Sequence, residues 1–428
     1  METVLPVFII FNWAMIGWLL RPEKKRYHIF LVASFAGSFY LYSYLWQVIA
    51  VSTAFLWCYL LATRQWTKFF GLSKISLVSL LLAAPAVFYT IQLILLPGYW
   101  ENMYRVGLVI TRLPPMEAYY YGRWLILGGL VWAILFRKKF TDKVAYVFIV
   151  NAAILLALLS NIITGKDFLI ATHINRFSVL WFVLTVCIGA YYFIKNKYWN
   201  KKVYATVPVL AILLVAFWSI FSEAKRSIFP SFSLSKQEML SVQDYRAPIA
   251  WLDTNELEPK AIWADDNISR YIPYLSKHYV LYPGLLNAHF YIMPTSEIHE
   301  RYLISRYFQN PNLEILRREY VYYAGSYFDY KMNDLNLRHR ICAIVKLSNN
   351  FCQEQFVQSL VSQKDRDIMA VYQLEKTSIR PHINEYLRKY GVSYFIRDIA
   401  QNPVQTRFVS MVPVYTDGRF EIYKIDIR

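Results

Sequence analysis

Apolar stretches recur between Val4 and Phe221 at about the length that crosses ~30 Å of hydrocarbon, roughly 17–25 residues at ~1.5 Å each. Eight of them read as helices: Val4–Leu20, Ile29–Ser43, Tyr44–Thr63, Ile75–Leu96, Trp124–Phe136, Val144–Ser160, Phe177–Ile194 and Val203–Phe221. Ile29–Ser43 and Trp124–Phe136 are short. The first of these joins Tyr44–Thr63 either as a tight hairpin near Ser43 or as one long broken helix.

Charge supports eight helices. Alternate loops carry Arg21, Lys24, Lys25, Arg26; Arg64, Lys68, Lys74; Arg137, Lys138, Lys139, Lys143; and Lys195, Lys197, Lys201, Lys202. The intervening loops hold Arg105, Arg112, Arg123, Lys166 and Arg176 over more residues. Positive charge stays cytoplasmic, so both termini are expected outside. Merging the short segment with its neighbour would break this alternation, which is a reason to keep them as two. Glu2 precedes the first helix and the basic cluster follows it, the reverse of a signal peptide's charge order. That is an outside-first helix, or the mark of a fragment or split gene.

The chain's averages hide a split. Of 428 residues, 56% are hydrophobic and 18% charged, where a soluble domain is about a quarter charged. Such a chain is neither disordered nor fibrous. Residues 1–221 hold 20 Lys+Arg against 6 Asp+Glu, so they carry +14 of the net +17. A basic excess in the apolar half suits an anionic membrane surface. Nucleic acid would instead need a basic face on a soluble domain.

The fold class expected is therefore an α-helical polytopic membrane domain over residues 1–221, followed by an extracytoplasmic α/β domain over 222–428. The second half is long enough for its own core. It shows a helical pattern over Glu238–Leu252, a strand at Lys260–Ala264, cap residues at Asp265-Asp266-Asn267 and a strand at Tyr279–Tyr282. Ile383–Tyr390 is a helix stopped by Gly391, and Ser393–Arg397 a strand. Phe408–Tyr415 and Arg419–Ile425 make a hairpin through Thr416-Asp417-Gly418. Strands alternating with helices indicate a covered sheet. Residues 294–377 give no clear order.

Cys58 and Cys187 lie in apolar helices and read as packing residues. Cys342 and Cys352 lie ten apart; outside the cell they close a disulfide loop, or they are two buried thiols. No Cys/His spacing suggests zinc. Gly-rich phosphate loops, HExxH and GxSxG are absent. No acidic residue sits at mid-membrane depth, which weakens a transporter or pump.

Chemistry is then sought in two outer loops. In Pro97–Arg123, Trp100 and Tyr119-Tyr120-Tyr121 are interfacial anchors, or else Arg105 and Arg112 meet a phosphate while the aromatics stack on a sugar. In Asn161–Arg176, Lys166, His173 and Arg176 cluster as a lipid-phosphate site, against the alternative that Arg176 snorkels and His173 caps a helix.

The Asn161-Ile-Ile-Thr164-Gly165 stretch followed by His173 and Arg176 resembles the last outer loop of multi-pass GT-C-type glycosyltransferases and related uncharacterised bacterial envelope proteins. Tyr245-Arg246 through Trp251-Leu252, then Lys260 to Asp265, is similar to the opening helix and strand of their extracytoplasmic domain. Val414-Tyr415 and Gly418 to Lys424 are similar to its closing hairpin. The resemblance spans roughly residues 80–428. It implies sugar transfer from a polyprenyl-phosphate carrier at the outer face, with an acidic base in the first outer loop and often a divalent metal. Here the first inter-helix loop is basic, and the outer-loop acids are Glu101, Glu117 and Asp167. Glu101 and Asp167 are the weak candidates for a base. The chain thus resembles the carboxy-terminal part of such an enzyme: an upstream polypeptide supplies the base, the sequence is truncated, or the protein is a non-catalytic binder of a lipid phosphate or glycan.

Topology is directly testable. Ser233→Cys and Lys139→Cys, made singly, are expected to react and not react, respectively, with an impermeant thiol reagent on intact cells. Labelling at 139 but not at 233 would reverse the orientation.

Overall fold

The computed structural model describes residues 4–42, 44–136, 141–167, 170–195, 243–284, 289, 291–345, 355–400 and 413–425. The chain divides into two compact units, Met1–Leu95 with Ile110–Lys225, and Leu96–Val109 with Arg226–Arg428. Residues 96–109, placed by sequence in a loop of the helical half, belong to the second unit.

In the first unit, seven long helices follow one another among the described residues: Val4–Leu20, Lys25–Leu41, Leu45–Ala62, Trp66–Ile94, Met116–Phe136, Asp142–Leu158 and Ile170–Lys195. The expected eighth, 203–221, lies outside the described residues. Leu45–Ala62 and Trp66–Ile94 are long and apolar enough to cross a membrane by length and composition. That is less than the eight spans expected, for visible reasons. Val4–Leu20 and Asp142–Leu158 have 17 residues each. Lys25–Leu41 and Met116–Phe136 open on charged or tyrosine-rich turns, and Ile170–Lys195 carries His173, Asn175 and Arg176 near its start.

Hairpin and broken helix are settled at Tyr42. Its backbone is extended, with φ −163° and ψ 121°, so the helical hydrogen-bond ladder stops and Lys25–Leu41 and Leu45–Ala62 are separate helices. Trp18, Trp181, Tyr146, Phe8, Phe11 and Phe177 are fully buried in the interior. Asn12 is buried there too. Its amide donates to the Phe8 carbonyl at 2.8 Å and its oxygen accepts from the Tyr146 hydroxyl at 2.8 Å, so both polar groups are satisfied. At one end, Asp142 accepts from Lys68 (2.5 Å), Tyr59 (2.9 Å) and Gln65 (3.1 Å), tying the turn before Trp66–Ile94 to the helix that Asp142 starts. The outer face of Trp66–Ile94 is different. Phe70, Leu81 and Phe88 are 64%, 65% and 62% exposed. Cys58 is also exposed, so it is not the packing residue expected.

The second unit is built on five strands: β1 (Ala261–Ala264), β2 (Tyr279–Val280), β3 (Val392–Asp398), β4 (Pro413–Thr416) and β5 (Phe420–Lys424). Their order is β2-β1-β3-β5-β4. The first three are parallel, and β5 runs antiparallel to both its neighbours. The β4–β5 turn holds because an Asp417 carboxylate oxygen accepts from the N–H groups of Arg419 and Phe420, at 3.0 and 2.7 Å. Trp263 and Phe395, on β1 and β3, stack with Phe308 in one core. The stretch that sequence could not order is helical in its described residues: Thr295–Ser305, Leu313–Arg318, Tyr320–Ala324, Tyr327–Val345 and Gln355–Leu374. Cys342 is buried and disulfide-bonded; its expected partner, Cys352, lies outside the described residues.

Residues 96–109 enter this unit through a short helix, Tyr99–Arg105. The Asn102 amide donates to the carbonyls of His289 and Tyr291. Arg105, 3% exposed, donates to the Tyr291 and Met293 carbonyls at 3.3 and 2.7 Å and to the Thr295 hydroxyl at 2.9 Å. The Arg105 carbonyl in turn accepts from Ser326 N–H at 2.7 Å. That last bond needs Gly325, whose φ of 84° and ψ of −173° suit glycine alone. A Cβ there would run into the Arg105 backbone. Gly325→Ala is expected to destabilise the unit by about 2 kcal/mol or more, since strain and clash add. Chemical denaturation of the detergent-solubilised chain measures it; an unchanged midpoint would contradict this account.

Candidate functional site

The connector expected over 161–176 is shorter than sequence suggested. A one-turn helix, Ser160–Thr164, ends at Gly165, and Ile170–Lys195 begins soon after, so His173 and Arg176 sit in that helix's first turns. They meet the extended break at Tyr42. The Tyr42 hydroxyl lies 2.6 Å from His173 Nδ1, and the Tyr44 ring stacks on the imidazole at 4.5 Å between centroids. The Arg176 cation is near enough to act electrostatically on both Tyr42 and His173.

Electrostatics assign the protons. Burial, and then the Arg176 cation, hold His173 below its ordinary value, so it is neutral at pH 7. The nearby Arg176 cation favours the Tyr42 oxygen turned toward it and the phenol proton pointing to His173 Nδ1, which leaves the ring proton on Nε2. The arrangement thus offers an exposed guanidinium and an imidazole N–H. Beside it opens an apolar groove of about 770 Å³, lined by Phe39, Tyr42, Trp46, Trp57, Leu80 and Ile91. Tyr42 belongs to both.

Sequence reasoning found His173 and Arg176 but missed Tyr42 and Tyr44. The signal available was the position of Tyr42-Ser43-Tyr44 at the junction of two apolar segments. Lys166 is exposed and Asp167 half-buried, on the segment that Arg112 braces through the carbonyls of Ile162 and Ile163, at 3.0 and 3.4 Å. Arg105 is a buried brace of the second unit, its Nη donors already committed to the Tyr291 and Met293 carbonyls and the Thr295 hydroxyl. Glu101 accepts from Thr295 N–H at 2.9 Å and lies 3.7 Å from Arg105. Those donors, the Thr295 N–H foremost, hold its carboxyl below the usual range. Of the side chain of Glu117 nothing is described.

A second polar group lies where parallel strands end, the edge at which open α/β sheets bind ligands. Asp265 follows β1 and Asp398 ends β3. Asp265 was expected to cap the next helix, but its carboxylate accepts from the Asp398 N–H at 2.8 Å instead. Each neighbouring acid has its own cation: Asp398 with Arg419 at 3.0 Å, Asp266 with Arg306 at 2.6 Å. The cluster is therefore internally paired. Among the described residues, no three His, Cys, Asp or Glu side chains come together to hold a metal.

No family model, curated protein or solved structure matches this chain. The likeness to GT-C-type enzymes therefore rests on sequence motifs alone.

Asp265 carries a pH signature. Burial above all, with the charges of Asp398 and Asp266, pushes its carboxyl up to about 6, against the Asp398 N–H and Arg397. As pH rises the unfolded chain releases this proton first, so the folded unit loses stability between about pH 4 and pH 6. Asp265→Asn keeps the acceptor without the charge. Its stability advantage over the natural residue should grow by about 1–3 kcal/mol from pH 4 to pH 7. Parallel pH profiles for the two proteins would refute it.

Proposed function

We propose that the chain is an integral membrane protein whose helical unit holds the phosphate of one lipid at Arg176 and His173, with the hydrocarbon tail in the adjoining groove. The carrying observation is Tyr42. It lines the apolar groove, shares a hydrogen bond with His173 and feels the Arg176 charge. One amphipathic molecule with an anionic head suits such a pairing of apolar wall and cationic rim, and Arg matches phosphate with two parallel donors.

Membrane residence is supported by two helices long and apolar enough to span. The exposed large apolar side chains of Trp66–Ile94 fit it too, since soluble monomers rarely expose a continuous apolar face of this kind. The alternation of basic loops supports eight spans with the second unit outside the cytoplasm.

Lipid-phosphate binding is favoured over sugar transfer by this chain alone. General-base catalysis needs a carboxylate free to take a proton within about 3 Å. Glu101 is engaged by Thr295 and Arg105. Transfer would draw on a base from an upstream polypeptide, with this chain presenting the lipid-linked sugar.

The test compares a long-chain alkyl phosphate with the matching alcohol, titrated onto the chain in nanodiscs. The phosphate should bind more tightly. Arg176→Gln and Tyr42→Phe should each weaken it by about 1–3 kcal/mol, the scale of a charged hydrogen bond, while leaving the alcohol unaffected. Equal affinity for phosphate and alcohol would remove the proposal.

A further inference from the structure

A cavity of about 280 Å³ lies wholly within the second unit, between the Tyr99–Arg105 helix, Thr295–Ser305 and the helices from Tyr320 onward. We infer that it binds one neutral sugar ring, a site separate from the lipid-phosphate groove.

The charged groups around it already have partners. Asp367 accepts from the Tyr320 hydroxyl at 3.0 Å. The Lys364 ammonium lies over the rings of Phe328 and Tyr320, at 4.2 and 4.8 Å from their centroids. Glu101 faces Arg105 and Thr295. An ion entering would have to break these pairs, whereas a neutral ligand would not.

What the wall leaves open are neutral or half-used hydrogen-bonding groups. His299 lines the cavity and makes no hydrogen bond among the described residues. Burial, helped by the Arg105 cation, holds it at about 4, so it presents one donor and one acceptor at pH 7. A hydroxyl, itself donor and acceptor, is the matching group. Gln363 adds an exposed amide with two donors and an acceptor. The lining also includes aromatic residues: Tyr104 and Tyr327, edge to face at 5.8 Å, with Tyr104 partly exposed. A ring that is apolar on its C–H faces and hydroxylated on its rim meets both kinds of wall. The volume, just below the ~300–1,000 Å³ typical of small-molecule sites, suits one ring of a glycan.

The test uses the full chain in nanodiscs and a panel of neutral mono- and disaccharides, followed by calorimetry or tryptophan fluorescence. Tyr104→Ala and Gln363→Ala lie at exposed positions and should each weaken sugar binding about fivefold, the scale of one lost polar or ring contact. Their melting temperatures and alkyl-phosphate affinities should stay those of the natural chain, which separates this site from the groove. The inference is overturned if no neutral sugar binds saturably up to about 50 mM, well past the millimolar range of a weak one-ring site. It is also overturned if both variants bind as the natural chain does. A preference for amino acids or free phosphate over neutral sugars overturns it too.

Discussion

The second unit depends on a buried guanidinium. Arg105 sits on a seven-residue helix too short to be stable alone, and what holds that helix is the set of acceptors around its side chain. The carbonyls of Tyr291 and Met293 and the Thr295 hydroxyl converge on it. Taking a cation out of water costs several kcal/mol unless it is well bonded. These acceptors, with Glu101 at 3.7 Å, offset that cost. The consequences spread outward. Thr295, the first residue of Thr295–Ser305, is fixed by both Arg105 and Glu101. The imidazoles of His289 and His299 are held neutral, first by burial and then by the Arg105 charge. Gly325 is required where the chain passes the Arg105 carbonyl.

The first unit turns on the opposite device, a break in helical structure. An extended Tyr42 interrupts what could have been one helix of nearly forty residues. The interruption frees a side chain to reach across to His173 and Arg176. Irregular backbone at a helix junction commonly forms sites, because local hydrogen bonds are replaced by side-chain ones. Here the replacement couples a cation, a phenol and an imidazole in a row, next to an apolar groove.

Much of the fold was legible where one physical signal dominates. Apolar runs located the seven described helices of the first unit, because length and hydropathy need no tertiary information. The Val4–Leu20 bounds are those read from sequence. Gly391, at φ 60°, ends Ile383–Lys389, and the Asp417-Gly418 turn joins β4 to β5. Legibility failed where partners distant in sequence decide. Residues 294–377 carry mixed polar and aromatic patterns because their helices bury tyrosines that keep polar tips bonded, as Tyr302 does with Glu319 and Tyr323 with the Leu316 carbonyl. A π-helical turn, Glu375–Ile379, was equally hidden. It brings Arg380 onto buried Glu375 at 2.7 Å, a five-residue spacing that ordinary helical periodicity does not anticipate. Asp265 looked like a cap because its neighbours suit one; its true partner lies 133 residues away.

Two arginines show why the candidate sites could not be sorted from sequence. Arg105 and Arg176 both follow a tyrosine or histidine by one or three residues in a polar stretch between apolar segments. Their surroundings reverse their roles. Arg105 is enclosed, and its Nη donors are directed at two carbonyls and a hydroxyl. Handing them to a phosphate would strand those acceptors in a dry interior, at about 1–3 kcal/mol each. Arg176 is exposed, and its companions Tyr42 and His173 are neutral. A phosphate arriving there gains a cation and an imidazole N–H without uncovering any buried acceptor. Burial and prior partners, rather than residue type or spacing, decide which arginine can bind an anion and which can only hold the fold.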